Sequence, residues 1–427
     1  MEYLKFLETR NGILLIFTAF ALVFLTLTNG VCADFAGGDG TEESPYKIGN
    51  WYHLDSVRYN LDSNFELVDD LDKTSDGYQE LAGEDANDGK GWNPIGGTYK
   101  RFGGTLYGRG HVIRDFYIDR PDDENVGLFS YTDDDGSLEE IGLENFDVVG
   151  SSEVGGLVGM NRCEISESYA SGRVRGEGDF VGGLVGLSSG LVSNSYASGT
   201  VRGEGDYIGG LIGGNTGTII HSYSYSQVQG GGQIGGLVGG NRGEIDGSFW
   251  DISASGVEES DGGTGETMED MKNFLTFDEA GWEITVVEPG DVDQEFTWNI
   301  ISDDGYPFLS FSGYEDEGFS GFSGTGDGIP WLWISFFVVL VVVIIVFATF
   351  FFKGRSVERG HSGDFSENNA EGTSAKLDRR TGGSVPPEIE EWIEKNLDRG
   401  YSRQQMRDLL ESSGRDPGLI DRYFEER

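Results

Sequence analysis

Reactive side chains are scarce in this chain. Among 427 residues there are two cysteines and four histidines. Cys32 lies at the end of an N-terminal apolar segment, so a chain cut there keeps Cys163 alone. A lone cysteine forms no intramolecular disulfide, and the outer part must hold by packing. His53, His111, His221 and His361 supply no H-E-x-x-H and no pair at zinc-ligand spacing, which argues against a zinc peptidase. His111 follows a glycine turn and reads as structural. No Asn-x-Ser/Thr sequon occurs, so glycosylation of that type is not expected. The glycine-rich stretches lack the Lys-Ser/Thr of a phosphate loop.

Positive charge is also scarce. The chain carries 74 acidic and 30 basic residues, a net charge of −44. Residues 34–330 hold 56 acidic against 15 basic residues, while 353–427 hold 16 against 13. The acidity belongs to the outer part. It excludes nucleic acid and anionic lipid as partners of that part. Dense carboxylates keep a surface hydrated in salt, which fits a halophilic archaeon. They can also bind cations such as Ca²⁺.

Two apolar runs differ in kind. Ile13–Thr28 follows Lys5 and Arg10 and precedes Val31-Cys32-Ala33, the pattern of a cleaved signal peptide over 1–33. Trp331–Phe352 is 22 residues without a charge. As a helix it is about 33 Å long, enough to cross a hydrocarbon core of roughly 30 Å. Lys353, Arg355 and Arg359 follow it, which expects the C-terminus in the cytoplasm and residues 34–330 outside.

Between the two runs the sequence repeats. The segment V-G-G-L-V-G recurs at Val154–Gly159, Val181–Gly186, Ile208–Gly213 and Ile234–Gly239, in steps of 27, 27 and 26 residues. A Ser-aromatic pair recurs in the same steps at Ser168-Tyr169, Ser195-Tyr196, Ser222-Tyr223 and Ser248-Phe249. A weaker coil precedes them at Val126–Phe129 and Ile141–Val149. The apolar runs are short and glycine-punctuated, so they read as about three strands per coil rather than helices. Stacked coils pair like strands in parallel at about 4.8 Å per coil. Leu157, Leu184, Leu211 and Leu237 then form one inward ladder, each contributing roughly 1.5–3 kcal/mol when buried. Glycines are expected to permit positive φ at the corners and close approach of neighbouring coils. One coil cannot bury its own apolar face, so only the stack is stable. Trp51, Leu54 and Val57 space like a short helix at the start. Met268–Phe277 suggests another, and Trp298–Phe311 a strand pair around Gly305-Tyr306-Pro307.

Gly156-Leu157-Val158-Gly159 and its copies resemble the signature of the GLUG-motif repeat family. Phe102–Ile113, Asn215–Ile219, Asn241–Ile245, Phe249-Trp250-Asp251, Gly262–Gly265 and Tyr306–Leu309 resemble its other segments. Cys163 and Ser188 depart from it, standing where the pattern has Gly and Asn. The resemblance spans roughly 46–311. It implies a secreted, surface-displayed parallel β-helix with no defined activity. Similar repeats occur beside bacterial immunoglobulin A peptidases, outside the catalytic part.

The expected class is therefore an all-β parallel β-helix (β-solenoid) ectodomain, with one transmembrane helix and a small C-terminal three-helix module. The boundaries are a signal peptide at 1–33, an N-terminal cap and first coils at 34–124, and solenoid repeats at 125–252. A closing segment follows at 253–311, then a flexible stem at 312–328, a membrane helix at 329–352 and a disordered linker at 353–383. The helical module at 384–427 has Pro387, Ser402 and Asp416 as helix starts and could dock a cytoplasmic protein. No catalytic or cofactor-binding constellation is legible. The one candidate site is the R-G-E-G-D turn, which stacks Glu177, Asp179, Glu204 and Asp206 as a patch able to take Ca²⁺. The expected function is a non-catalytic adhesion or interaction role toward an extracellular protein or glycan. Alternatives are a receptor-like transducer working through the tail module, or a carbohydrate-active β-helix enzyme with acids on one face.

Overall fold

A computed structural model describes residues 35–312 except 303, together with residues 385–398, 403, 406, 407, 410 and 415–426. The expected signal peptide, membrane run and linker, and all but the first residue of the stem, lie outside the described residues. Among the described residues no helix is long and apolar enough to cross a membrane.

The described residues before the tail form a parallel β-solenoid. One coil shows the plan: strand Val185–Ser188 lies on a five-stranded face, Leu191–Ser193 on an eight-stranded face, and Tyr196–Gly203 on a nine-stranded face. A turn through Glu204–Asp206 then leads to the two-residue strand Ile208–Gly209 and the next coil. Equivalent strands pair in parallel at the repeat distance, as in Tyr169↔Tyr196 and Val158↔Val185↔Ile212↔Val238. The eight-stranded face runs back to Tyr46–Ile48, so the N-terminal region joins the same stack. Helix Trp51–Ser56, capped by the Asn50 side chain, buries Trp51 and Leu54 there.

The leucine ladder is inside. Leu157, Leu184, Leu211 and Leu237 are all fully buried. The serine of each Ser-aromatic pair has a defined task. Ser195 Oγ accepts the Ser168 N–H at 3.1 Å and donates to the Ser193 carbonyl at 2.7 Å. Ser168, Ser222 and Ser248 repeat both bonds. Each hydroxyl so satisfies a corner N–H that strand pairing leaves over.

The corners divide the two tasks expected of the glycines. Positive φ falls on Glu140, Glu167, Asn194 and His221 at one corner, and on Asn125, Glu153, Phe180 and Tyr207 at another. Gly247 takes positive φ at the first corner, and other coil glycines serve the expected close approach. A Cβ on Gly190 would sit 2.0 Å from the Cys163 carbonyl oxygen, and one on Gly217 would sit 2.1 Å from that of Gly190. The two departures from the repeat fit inside the stack. Ser188 Oγ accepts from Asn161 Nδ2 at 3.2 Å, and Cys163 is fully buried.

The closing segment does two things. Residues 256–263 cover the end of the stack, where Ser260 Oγ accepts the Val238 N–H at 2.9 Å and Asp261 Oδ2 accepts the Asn241 N–H at 2.6 Å. The remainder turns back along the flank. It forms a 3₁₀ turn at Asp270–Lys272, helix Phe274–Asp278 and a small sheet of Ile284–Val286, Trp298–Ile300 and Phe308–Leu309. Trp298↔Leu309 is the expected antiparallel pair.

In the tail, Pro387–Asp398 and Gly418–Glu426 are helices, with Ile389, Trp392, Ile393, Ile420 and Tyr423 buried. Arg415 Nη1 lies 2.9 Å from Glu279 Oε1 of the closing segment. That ion pair and a membrane crossing at 329–352 exclude each other.

Candidate functional site

Two corners of the coil carry the side chains of interest. At the first, between the eight- and nine-stranded faces, Tyr169, Tyr196 and Tyr223 stack outward with ring centroids 5.0 and 5.1 Å apart. The closing segment covers this ladder. Trp298 lies 5.8 Å and Trp282 6.2 Å from Tyr223, Phe311 lies 6.1 Å from Tyr169, and Tyr306 stacks on Tyr225 at 4.3 Å. Hydrogen bonds fix the cover. Tyr223 donates to the Pro307 carbonyl at 2.5 Å, Trp282 Nε1 to the Gly247 carbonyl at 2.6 Å, and Tyr306 to Asp251 Oδ2 at 2.6 Å. His221 lies under the cover, 5.9 Å from Trp282. Burial lowers its pKa, against the opposing pull of Asp246 and the Ala280 carbonyl.

The second corner is the acidic turn. Glu177, Asp179, Glu204 and Asp206 are all exposed and stack from one coil to the next. Asp179 Oδ1 accepts the Asp206 N–H at 2.8 Å, and Asp206 Oδ1 accepts the Gln233 N–H at 3.3 Å. Ser152 Oγ accepts the Asp179 N–H at 3.2 Å. Each side chain thus caps the turn of the following coil, a task the residue types suggest only once the register is known. Among the described residues no three His, Cys, Asp or Glu side chains converge as a metal site would require. The sequence-predicted acids are neighbours, and two of them hold backbone.

A charged chain near the start of the nine-stranded face was not foreseen. His111 Nδ1 lies 3.1 Å from Asp70 Oδ1, and Arg114 joins Asp70 Oδ2 at 2.8 Å to Glu144 Oε2 at 2.6 Å. Tyr169 donates to Glu144 Oε1 at 2.6 Å. Burial works to raise the Asp70 pKa, but the Val112 N–H, Arg114 and His111 outweigh it and hold the carboxyl below its usual range. Every oxygen here is engaged in tying the Asp70 loop to later coils, so the cluster clamps structure. The glycine turn before His111 was its only sequence signal.

Nucleophiles are sequestered. Gly186-Leu187-Ser188-Ser189-Gly190 has the letter spacing of a nucleophile elbow, yet Ser188 is fully buried within a strand. Burial pushes the Cys163 thiol up to about 12, which keeps it unreactive.

Three comparisons bear on this surface. No family model matches the chain. It is 39% identical over 132 residues to a protein of Evansella cellulosilytica described as a Gly-rich membrane protein, covering 30% of this chain and 14% of that one. It is 33% identical over 144 residues to halomucin of Haloquadratum walsbyi, covering 33% of this chain and 2% of that one. The chain therefore spans a small part of either relative. Among solved structures it is similar to a protein of Bacteroides ovatus described as an immunoglobulin A1 protease, at TM-score 0.44 and 18% identity, over 65% of this chain and 96% of that one.

Proposed function

We propose that the chain is a membrane-anchored cell-surface β-solenoid with a non-catalytic adhesion or interaction role, built from GLUG-type repeats. The observation that supports this most is the in-register surface, in which equivalent positions of successive coils stack on parallel faces. Such a surface suits contact with an extended partner better than enclosure of a small substrate. The names of the two relatives, a membrane protein and a halomucin, point the same way.

Magnitudes favour the membrane anchor over the Arg415–Glu279 pair. That pair is exposed, with side chains 40% and 55% accessible. Such pairs contribute about 0–1 kcal/mol. An uncharged run of 22 residues forfeits far more if left in water.

A binding screen of the full chain against glycans and intact cells, at low and high salt, tests the function. Saturable binding without substrate turnover is expected. Depolymerisation of a glycan, abolished by replacing outward acids such as Glu177 and Glu204, would replace this function with an enzymatic one.

A further inference from the structure

The outward side chains of the nine-stranded face form a charge grid. Strand alternation exposes Arg173, Arg175 and then Glu177 in one coil, and Arg202 and then Glu204 in the next. Register sets Arg175 directly beside Arg202, and the Glu204 N–H donates to the Gly176 carbonyl at 3.1 Å, which carries the alignment into the turn. A guanidinium column therefore runs beside a carboxylate column. Glu177 and Glu204 follow the strand ends at Gly176 and Gly203, so the carboxylates stand where the chain enters the turn, with about 4.8 Å between coils. Asp179 and Asp206 form a third column beyond the glutamates.

Like charges directly opposite one another weaken a strand pair. Nevertheless Arg175, Arg202, Glu177 and Glu204 make no ion pair or side-chain hydrogen bond among the described residues. Arg173 pairs with Asp147 at 3.9 Å and Arg175 acts on the same carboxylate, so Arg202 is the arginine of the strip with no described carboxylate beside it. The acids beside the arginines make the strip a poor trap for a simple polyanion. It is complementary to itself.

We propose that this strip is a contact surface for a second copy of this chain. Two copies can face each other about a two-fold axis that runs parallel to the solenoid and between the two columns. Arg175 and Arg202 then meet Glu177 and Glu204 of the second copy, and the reverse pairs form by symmetry. A two-fold axis along the strands would instead set Arg175 against Arg202, so the strip selects parallel solenoids. The proposal rests on the surface-interaction function above and names the partner.

Each ion pair is weak, and the large negative charge of each outer part opposes approach. Salt screens that long-range repulsion, while pairs desolvated at contact are screened less. Display on one membrane raises the effective concentration of copies. Association should therefore strengthen as salt rises from about 0.1 M to 1 M, the reverse of polyanion capture.

The test uses donor- and acceptor-labelled full-length chain in phosphatidylcholine vesicles, with energy transfer as readout and thermal melting as a check of folding. Wild-type copies should associate more at high salt. The R175E/R202E and E177R/E204R variants should each lose association at least tenfold, and a mixture of the two should regain it. The proposal is overturned if wild-type copies stay apart at both salts, if either variant alone associates like wild type, or if the mixture is not rescued. Should the copies stay apart while polygalacturonate binds and is released by salt, the occupant is an anionic glycan. Retained cell or glycan binding without self-association would remove the proposal and leave the surface function standing.

Discussion

The two corners of one coil come from the same repeat and meet opposite fates. Tyr169, Tyr196 and Tyr223 stand outward at the first, and Trp282, Trp298 and Phe311 bury them. Glu177, Asp179, Glu204 and Asp206 stand outward at the second and stay in solvent. The chain uses the aromatic corner for stability and leaves the charged corner available. Repetition supplies the columns, and a single non-repeating segment decides which column is covered.

Removing the cover should do the most damage. Trp282 is fully buried among Phe249, Phe277 and Trp298. Trp282→Ala should destabilise by about 3–5 kcal/mol in urea unfolding. A loss below about 1 kcal/mol would mean that the closing segment lies loosely on the ladder.

Leu211→Ala strikes the interior that both corners share. A loss of about 2–5 kcal/mol is expected from the cavity, measured in the same way. Repeat proteins unfold by nearest-neighbour coupling, so the loss should spread to adjacent coils in hydrogen exchange.

The covered corner should also respond to pH. His221 is held neutral by burial, with a pKa below its usual value in the fold. Unfolded, it binds a proton near pH 6.5. Its contribution to stability is thus complete above about pH 6.5 and is lost as pH falls toward the folded pKa. His221→Asn keeps a residue type that Asn194 already uses at this left-handed corner, and it removes the titration. The variant's melting temperature should depend less on pH between 7 and 5 than that of wild type. Equal slopes would assign the dependence to other groups.

At the open corner the effects should be small. Asp179→Asn keeps an acceptor for the Asp206 N–H, whereas Asp179→Ala removes it. The expected losses are near zero and about 0.5–1.5 kcal/mol respectively. A Ca²⁺ titration followed by melting separates capping from cation binding. No shift in wild type or in an Asp179→Asn, Asp206→Asn variant would end the cation idea.

Much of this was legible in the sequence. Two markers in one register gave the coil, and the inward leucines followed from their equivalent positions in the stacked repeats. The strand pair Trp298↔Leu309 was also readable, because Gly305-Tyr306-Pro307 marks its turn. The tasks of the serines were not, because a hydroxyl that accepts an N–H 27 residues away leaves no local pattern. Nor was the path of the closing segment, which depends on rings meeting across about eighty residues, as in Tyr223 and Pro307. Which of its two tasks each coil glycine performs was not legible either. Glycine signals either positive φ or close approach, and only the neighbouring coil shows which applies.

The anchored arrangement underlies everything proposed for the outer surface, and thiol labelling of intact cells reads it directly. Cys163 is buried and unreactive, so it adds little background. Glu204→Cys should react with a membrane-impermeant maleimide on whole cells, while Arg415→Cys should react only after lysis. Labelling of both positions on intact cells would contradict the membrane crossing and favour the Arg415–Glu279 contact. Protection of both until lysis would contradict surface display.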